Sequence, residues 1–234
     1  MKHILIIFSV FLFSFISISC TSSSSSSSTT STDNTTTTGL FVTVGWEGTI
    51  LTSSDGNSWN ERTSGISKSL REVTYGNGLF VTVGLSGTIL TSLDGTSWTE
   101  RTSGISKLLN EVTYGNSIFV TVGQSGTVLT SSDGTTWASR TSGTMEDLYG
   151  GVTYGNSIFV TVDSSGTILT SSDGTTWTVR ITGTWWNLNE VTYGNGLFVT
   201  VGNSGIIYTS PDGNSWTTRT TGTSNHLVGV TYSQ

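Results

Sequence analysis

Cysteine and proline each occur once in this chain of 234 residues, and histidine twice. With Cys20 alone there is no internal disulfide. His3 and His226 are too few for a zinc cluster and leave little room for histidine-based catalysis. Charge is scarce too: Asp, Glu, Lys and Arg make up 10% of the residues, against a usual quarter. Nine Lys and Arg in a chain of net charge −6 supply no basic stripe, which excludes the electrostatic footprint of a nucleic-acid binder. The chain also lacks a phosphate-binding glycine loop, a Gly-x-Ser-x-Gly elbow and a dinucleotide fingerprint. In their place stand 29 glycines and many Ser, Thr, Val and Trp residues, a composition of strands and turns rather than helices. The expected class is all-β.

The chain starts with Lys2 and an apolar stretch from Ile4 to Ile18 that is short for a membrane-spanning helix and ends at Ser19–Cys20. The segment Ile16-Ser17-Ile18-Ser19-Cys20 resembles a bacterial lipoprotein signal. That resemblance implies removal of residues 1–19, acylation of Cys20, and a lipid-anchored protein at the outer membrane or cell surface. Between Thr21 and Thr38, sixteen of eighteen residues are Ser or Thr. Such a run cannot form a core, so residues 20–39 are expected to be a tether with a reach of roughly 25 Å.

From residue 40 to 234 a single unit recurs five times. Trp59, Trp98, Trp137, Trp177 and Trp216 are spaced by 39, 39, 40 and 39 residues, and Tyr75, Tyr114, Tyr154, Tyr193 and Tyr232 keep the same rhythm. Each unit holds four short β-branched and aromatic runs joined by Gly, Asn-Gly or Asp-Gly turns, the pattern of a four-stranded meander. Five such sheets arranged radially make a five-bladed β-propeller. The first unit starts at Leu40 in its second strand, and the chain finishes on a lone first strand, Leu227 to Tyr232. Closure is therefore expected through pairing of that C-terminal strand with the first blade; the alternative is an open or domain-swapped array.

The hairpins at Asp55, Asp94, Asp133, Asp173 and Asp212, each followed by Gly and then Trp, resemble the Asp-box of bacterial neuraminidase-type repeats. They have one residue fewer between Asp and Trp than that motif. The resemblance implies a structural Asp tying the turn to backbone amides and a Trp packed between sheets. The surrounding Val-Gly-x-Ser-Gly-Thr-Ile-Leu-Thr-Ser pattern is similar to the repeats of photosystem assembly-factor propellers. Arg62, Arg101, Arg140, Arg180 and Arg219 follow each Trp by three residues; their strict recurrence points to pairing with the hairpin Asp or a strand hydroxyl.

The five copies differ mainly in the loops after strands two and four, which a meander places on one face. Loops on a rigid scaffold are where binding usually resides. On this face Trp46, Trp185 and Trp186, with Asn203 and His226, form the expected ligand site, since exposed aromatics suit sugar stacking or a protein hot spot. Lys68, Arg71 and Lys107 make the second and third blades positive. Glu146, Asp147 and Asp163 converge on the fourth blade as a candidate calcium site. Glu72, Glu111 and Glu190 begin three inner strands, where paired carboxylates could serve a glycosidase, yet a shared repeat position explains them without chemistry. The sequence thus points to a non-catalytic propeller binding carbohydrate, with a protein-binding scaffold as the alternative and no cofactor beyond calcium.

Overall fold

The computed structural model describes residues 39–181 and 186–233. The expected leader, Cys20, the expected tether up to residue 38 and Trp185 lie outside the described residues.

Five antiparallel sheets follow one another along the chain. The first holds β1 (Phe41–Val44), β2 (Ile50–Ser53) and β3 (Asn60–Arg62). The second holds β4 (Leu70–Gly76), β5 (Leu79–Gly84), β6 (Ile89–Ser92) and β7 (Thr99–Arg101). The third runs β8 (Leu109–Gly115), β9 (Ile118–Gly123), β10 (Val128–Ser131), β11 (Ala138–Arg140), and the fourth β12 (Val152–Gly155), β13 (Ile158–Val162), β14 (Thr167–Ser171), β15 (Thr178–Ile181). The fifth is β16 (Leu188–Gly194), β17 (Leu197–Gly202), β18 (Ile207–Ser210) and β19 (Thr217–Arg219). Each is a simple meander, and together they make the five-bladed propeller that the period predicts.

In the second to fourth blades the second and third strands are buried on both faces, with Val81, Ile89, Phe119, Leu129, Val160 and Ile168 wholly covered. Apolar residues therefore do not alternate with polar ones. Within a blade the aromatics stack in a column: Tyr114 lies 4.7 Å from Phe119, and Phe119 lies 6.5 Å from Trp137. Between blades the contact is a ring against a glycine. A β-carbon added at Gly76, Gly115 or Gly155 would lie 2.1–2.2 Å from Cγ of Tyr114, Tyr154 or Tyr193, so only glycine admits the next blade.

The hairpin aspartates make the turn bonds expected of them. Asp133 Oδ1 accepts the backbone N–H groups of Thr135 and Thr136 at 2.8 Å, and Ser131 Oγ donates to the same oxygen. These bonds hold the Asp133, Asp94 and Asp173 carboxyls far below the usual carboxylate range, the backbone N–H of Thr136, Ser97 and Thr176 contributing most. The Trp137 indole N–H donates to the Gly134 carbonyl. Each repeated arginine takes the strand hydroxyl of its own blade: Nε of Arg62, Arg101, Arg140, Arg180 and Arg219 donates to Oγ1 of Thr52, Thr91, Thr130, Thr170 and Thr209.

The seam departs from expectation. The first sheet has three strands, and Leu227–Tyr232 forms no ladder with β1. The segment keeps the contacts that the other first strands make with the blade before them: its Leu227 N–H donates to Gly202 as the Leu70 N–H does to Gly45, Asn189 Nδ2 donates to the Leu227 carbonyl, and Tyr232 covers Gly194 as Tyr114 covers Gly76. These anchors hold its end and side chains without using its strand edge, and exposed Gly229 adds neither a side chain to pack nor strand propensity. On the other side of the seam, Gly56 meets only Phe41 of its own blade, whereas Gly95, Gly134, Gly174 and Gly213 each meet a Leu or Ile of the preceding blade. Trp59 is accordingly 43% exposed, against 9% for Trp177.

Candidate functional site

Hydrogen bonds fix the loops of the variable face. In the second to fifth blades the turn after the second strand is gripped by the loop entering that blade. Leu85 N–H donates to Ser69, Gln124 N–H to Leu108, Ser164 N–H to Asp147 and Asn203 N–H to Asn187, all at backbone carbonyls 2.9–3.0 Å away. The loop leaving the blade adds a further bond: Ser125 N–H donates to Asp147 Oδ1 at 2.7 Å, and Ser204 N–H to His226 Nδ1 at 3.2 Å. The second residue of most of these turns is left-handed, as at Glu47 and Ser86 (φ 56° and 57°). A following glycine packs against a loop carbonyl, 2.1–2.3 Å from the place of an added β-carbon at Gly48, Gly87 and Gly126. The backbone is thus fixed while the first residues of each turn are free to differ, as Trp46, Leu85, Gln124 and Asn203 do.

The structure joins some of the expected ligand residues and separates others. Asn203 and His226 meet on the fifth blade: Asn203 Oδ1 accepts from Asn189 Nδ2 at 3.0 Å, and His226 holds the neighbouring turn. Trp186 adjoins Asn187, whose carbonyl accepts the Asn203 N–H, and it is 51% exposed. Trp46 is 71% exposed on the first blade, and no contact among the described residues links it to the fifth-blade group. Asn203 and His226 are half committed to holding their own loops. Both retain donors directed elsewhere, His226 as the tautomer protonated at Nε2.

The calcium expectation is not supported by the geometry. Asp163 is wholly buried, and its Oδ1 accepts the backbone N–H of Ser165 and Thr167 and the Ser165 hydroxyl. Its Oδ2 accepts from the Thr144 hydroxyl at 3.3 Å. Asp163 stands where the other blades carry glycine and folds a turn of different shape. Asp147 is taken by Ser125 and Glu146 faces solvent. Among the described residues no group of three His, Cys, Asp or Glu side chains is placed to hold an ion.

At the inner opening the structure assembles what the sequence only hinted at. A bulge sits at the start of each of β4, β8 and β16, between Leu70 and Glu72, Leu109 and Glu111, and Leu188 and Glu190. A buried threonine of the next strand clamps it: the hydroxyls of Thr82, Thr121 and Thr200 donate to the carbonyls of Glu72, Glu111 and Glu190 at 2.7–2.8 Å. The bulge turns the three glutamates inward. In the fourth blade Gly151 takes the position, and a β-carbon there would lie 3.1 Å from Glu190 Oε1 and 3.7 Å from Glu111 Oε2. Burial pushes Glu72 and Glu190 up to about 7 and raises Glu111 well above the usual carboxylate range; the charges of Glu72 and Glu190 add to the rise at Glu111. The backbone N–H of Val191 opposes it at Glu190. Asn110 and Asn189, at the bulges, donate to the Leu148 and Leu227 carbonyls of the following blade. Neither was singled out in the sequence, although a shared repeat position was the available signal.

The loops of the variable face carry several exposed apolar groups: Trp46, Leu85, Met145, Tyr149 and Trp186. Tyr149 is pushed up from its ordinary value, by burial first and then by Asp147, with nearby Arg71 opposing. Five of the eight described Lys and Arg side chains are pinned to threonine hydroxyls. The remaining three are exposed Lys68, Arg71 and Lys107.

No model of a known protein family matches the chain, and no curated protein does. Solved structures do resemble it. YCF48 bound to a D1 peptide superposes with a TM-score of 0.60 at 19% identity, covering 75% of this chain and 61% of that one. Virginiamycin B lyase from Staphylococcus aureus gives 0.64 at 15%, covering 80% and 71%. Saccharomyces cerevisiae Sqt1 gives 0.60 at 13%, covering 76% and 57%. The chain thus spans about three fifths of the length of YCF48. At these identities the likeness is one of fold, and the fold is the β-propeller.

Proposed function

We propose that this chain is a non-catalytic binding propeller whose variable face holds a protein partner, on a domain tethered to the cell envelope through acylated Cys20. The observation that carries this reading is the set of exposed large apolar side chains on the loops of one face: Trp46, Leu85, Met145, Tyr149 and Trp186. Large side chains left in water on a rigid scaffold are costly unless something covers them, and such groups are the usual anchors of protein interfaces. The pinned backbone beneath them lowers the ordering cost of binding. Proteins of this shape serve such roles: one neighbour was solved with a peptide bound.

Glu72, Glu111 and Glu190 are read here as a structural ring. Each is set by the same bulge and clamp, so their recurrence has a folding cause. Carbohydrate is the second reading, favoured by Trp46, whose indole is free to stack on a sugar.

Photo-cross-linking tests the proposal. A benzophenone amino acid replaces Trp46 or Tyr149 on the variable face, or exposed Leu93 on the opposite face, in the full chain within its producing cells. Discrete protein adducts are expected from positions 46 and 149 and not from 93. They should lie in the membrane fraction and move to the soluble one with Cys20→Ser. Equal adducts from all three positions, or none together with glycan-array binding lost in Trp46→Ala, would contradict the protein reading.

A further inference from the structure

Two grooves of the variable face have the same construction and opposite charge. The first, about 840 Å³, lies at the first blade and is lined by Glu47, Glu61 and Glu100 with Arg62 and Lys68. The second, about 620 Å³, lies between the loop leaving the second blade and the third blade. Its walls include Ile105, Lys107, Arg140 and Met145, hydroxyls such as Ser125 and Thr127, and no carboxylate. The repeat explains the difference. Glu61 and Glu100 precede the repeated arginine in the first two blades, and Ser139 occupies that place in the third. The turn residue Glu47 likewise becomes Ser125.

We infer that the second groove is the seat of an acidic segment of the protein partner, one that presents carboxylates together with an apolar side chain. The inference rests on the protein-binding reading above and names the chemistry of that partner. Lys107 is exposed and has no hydrogen bond or ion pair among the described residues. Arg140 is fixed by its Nε donating to Thr130 Oγ1 at 2.8 Å, which orients the guanidinium and leaves its terminal nitrogens to donate. Two cations beside one groove without a lining carboxylate favour carboxylates, and a pinned guanidinium loses little entropy in accepting one. The nearby acids do not neutralise the pair through the groove wall. Asp147 Oδ1 is engaged by the Ser125 N–H, and Glu146 projects into solvent while its carbonyl accepts the Gly126 N–H.

Ile105 and Met145 decide the class of ligand. Met145 is 81% exposed at the rim, a flexible apolar group of the kind that adapts to peptide side chains. No aromatic ring lines the groove, so an anionic polysaccharide would find cations but no stacking platform.

The test measures fluorescence anisotropy on the full chain with three labelled probes. One is a short peptide of Asp, Leu and Ser, the second has Lys in place of Asp, and the third is an oligogalacturonate. The Asp peptide is expected to bind saturably and more weakly as salt rises. Lys107→Glu is expected to weaken it by about tenfold, and Lys68→Glu, in the other groove, to leave it unchanged. Absence of Asp-peptide binding, equal binding of the Lys peptide, tighter binding of the oligogalacturonate, or indifference to Lys107→Glu overturns the inference. Cross-links from positions 46 and 149 that persist alongside any of these results would leave the protein-binding reading standing and remove only its acidic partner.

Discussion

Gly155→Ala is expected to lower stability by about 3 kcal/mol or more, a fall in melting temperature of roughly 10 °C for a domain of this size. The new β-carbon would lie 2.1 Å from Cγ and 2.3 Å from Cδ1 of Tyr193. Tyr193 cannot swing away, because its ring is stacked 4.6 Å from Phe198, and Phe198 is wholly buried. Either the blades separate or the aromatic column breaks. Gly104→Ala is the control: no atom lies within 4 Å of its added β-carbon, and only its left-handed backbone (φ 76°) resists. That costs about 1 kcal/mol. Thermal melts of the two variants side by side measure the difference, and equal effects would show that the tyrosine-on-glycine contact does not hold the blades.

Glu190→Gln is expected to stabilise the protein at pH 8 by about 2 kcal/mol and to change it little at pH 4.5. Burial at the inner opening raises Glu190 from 4.5 to about 7. For a carboxyl raised on folding, the folded state keeps a proton that the unfolded chain gives up. Its contribution is therefore full below the unfolded value near 4.5 and is lost as pH rises through 7. Glu72 and Glu111 act in the same direction. The hairpin aspartates oppose them at the acid end: their carboxyls are lowered on folding, so their contribution is lost as pH falls below about 4. Stability should peak near pH 4–5 and decline toward pH 8. Glutamine keeps the oxygen that accepts the Val191 N–H, which makes the substitution a clean removal of charge. A Glu190→Gln protein whose melting temperature falls with pH as steeply as that of the parent would refute the convergence of the three glutamates.

Much of the fold could be read from spacing because every blade repeats the same physical solution. The Asp-Gly hairpins, the tryptophans and the threonine-bound arginines all depend on partners within about ten residues in sequence, as Arg140 and Thr130 do. Local chemistry of that kind is visible in a string of letters. The seam was not legible, because Leu227–Tyr232 carries the pattern of a first strand and makes a first strand's contacts with the fifth blade, yet forms no ladder with β1. The candidate site was legible only as a face. Loop variation located Trp46, Trp186, Asn203 and His226, but not that Trp46 stands apart from the other three. Asp163 misled for a specific reason: a carboxylate in a loop near two others suggests a cation, whereas here it replaces a glycine and satisfies its own turn. The glutamate ring was visible as a recurrence, and only the bulge with its threonine clamp turns it inward.

The central claim is that binding belongs to the variable face. Hydrogen–deuterium exchange of the full chain, with and without the partner captured by cross-linking, tests it directly. Added protection is predicted in the turns around residues 45–49, 84–88 and 123–127 and in the loop 143–149. Protection confined to the opposite turns around residues 76–79, 115–118 and 155–158 would contradict it.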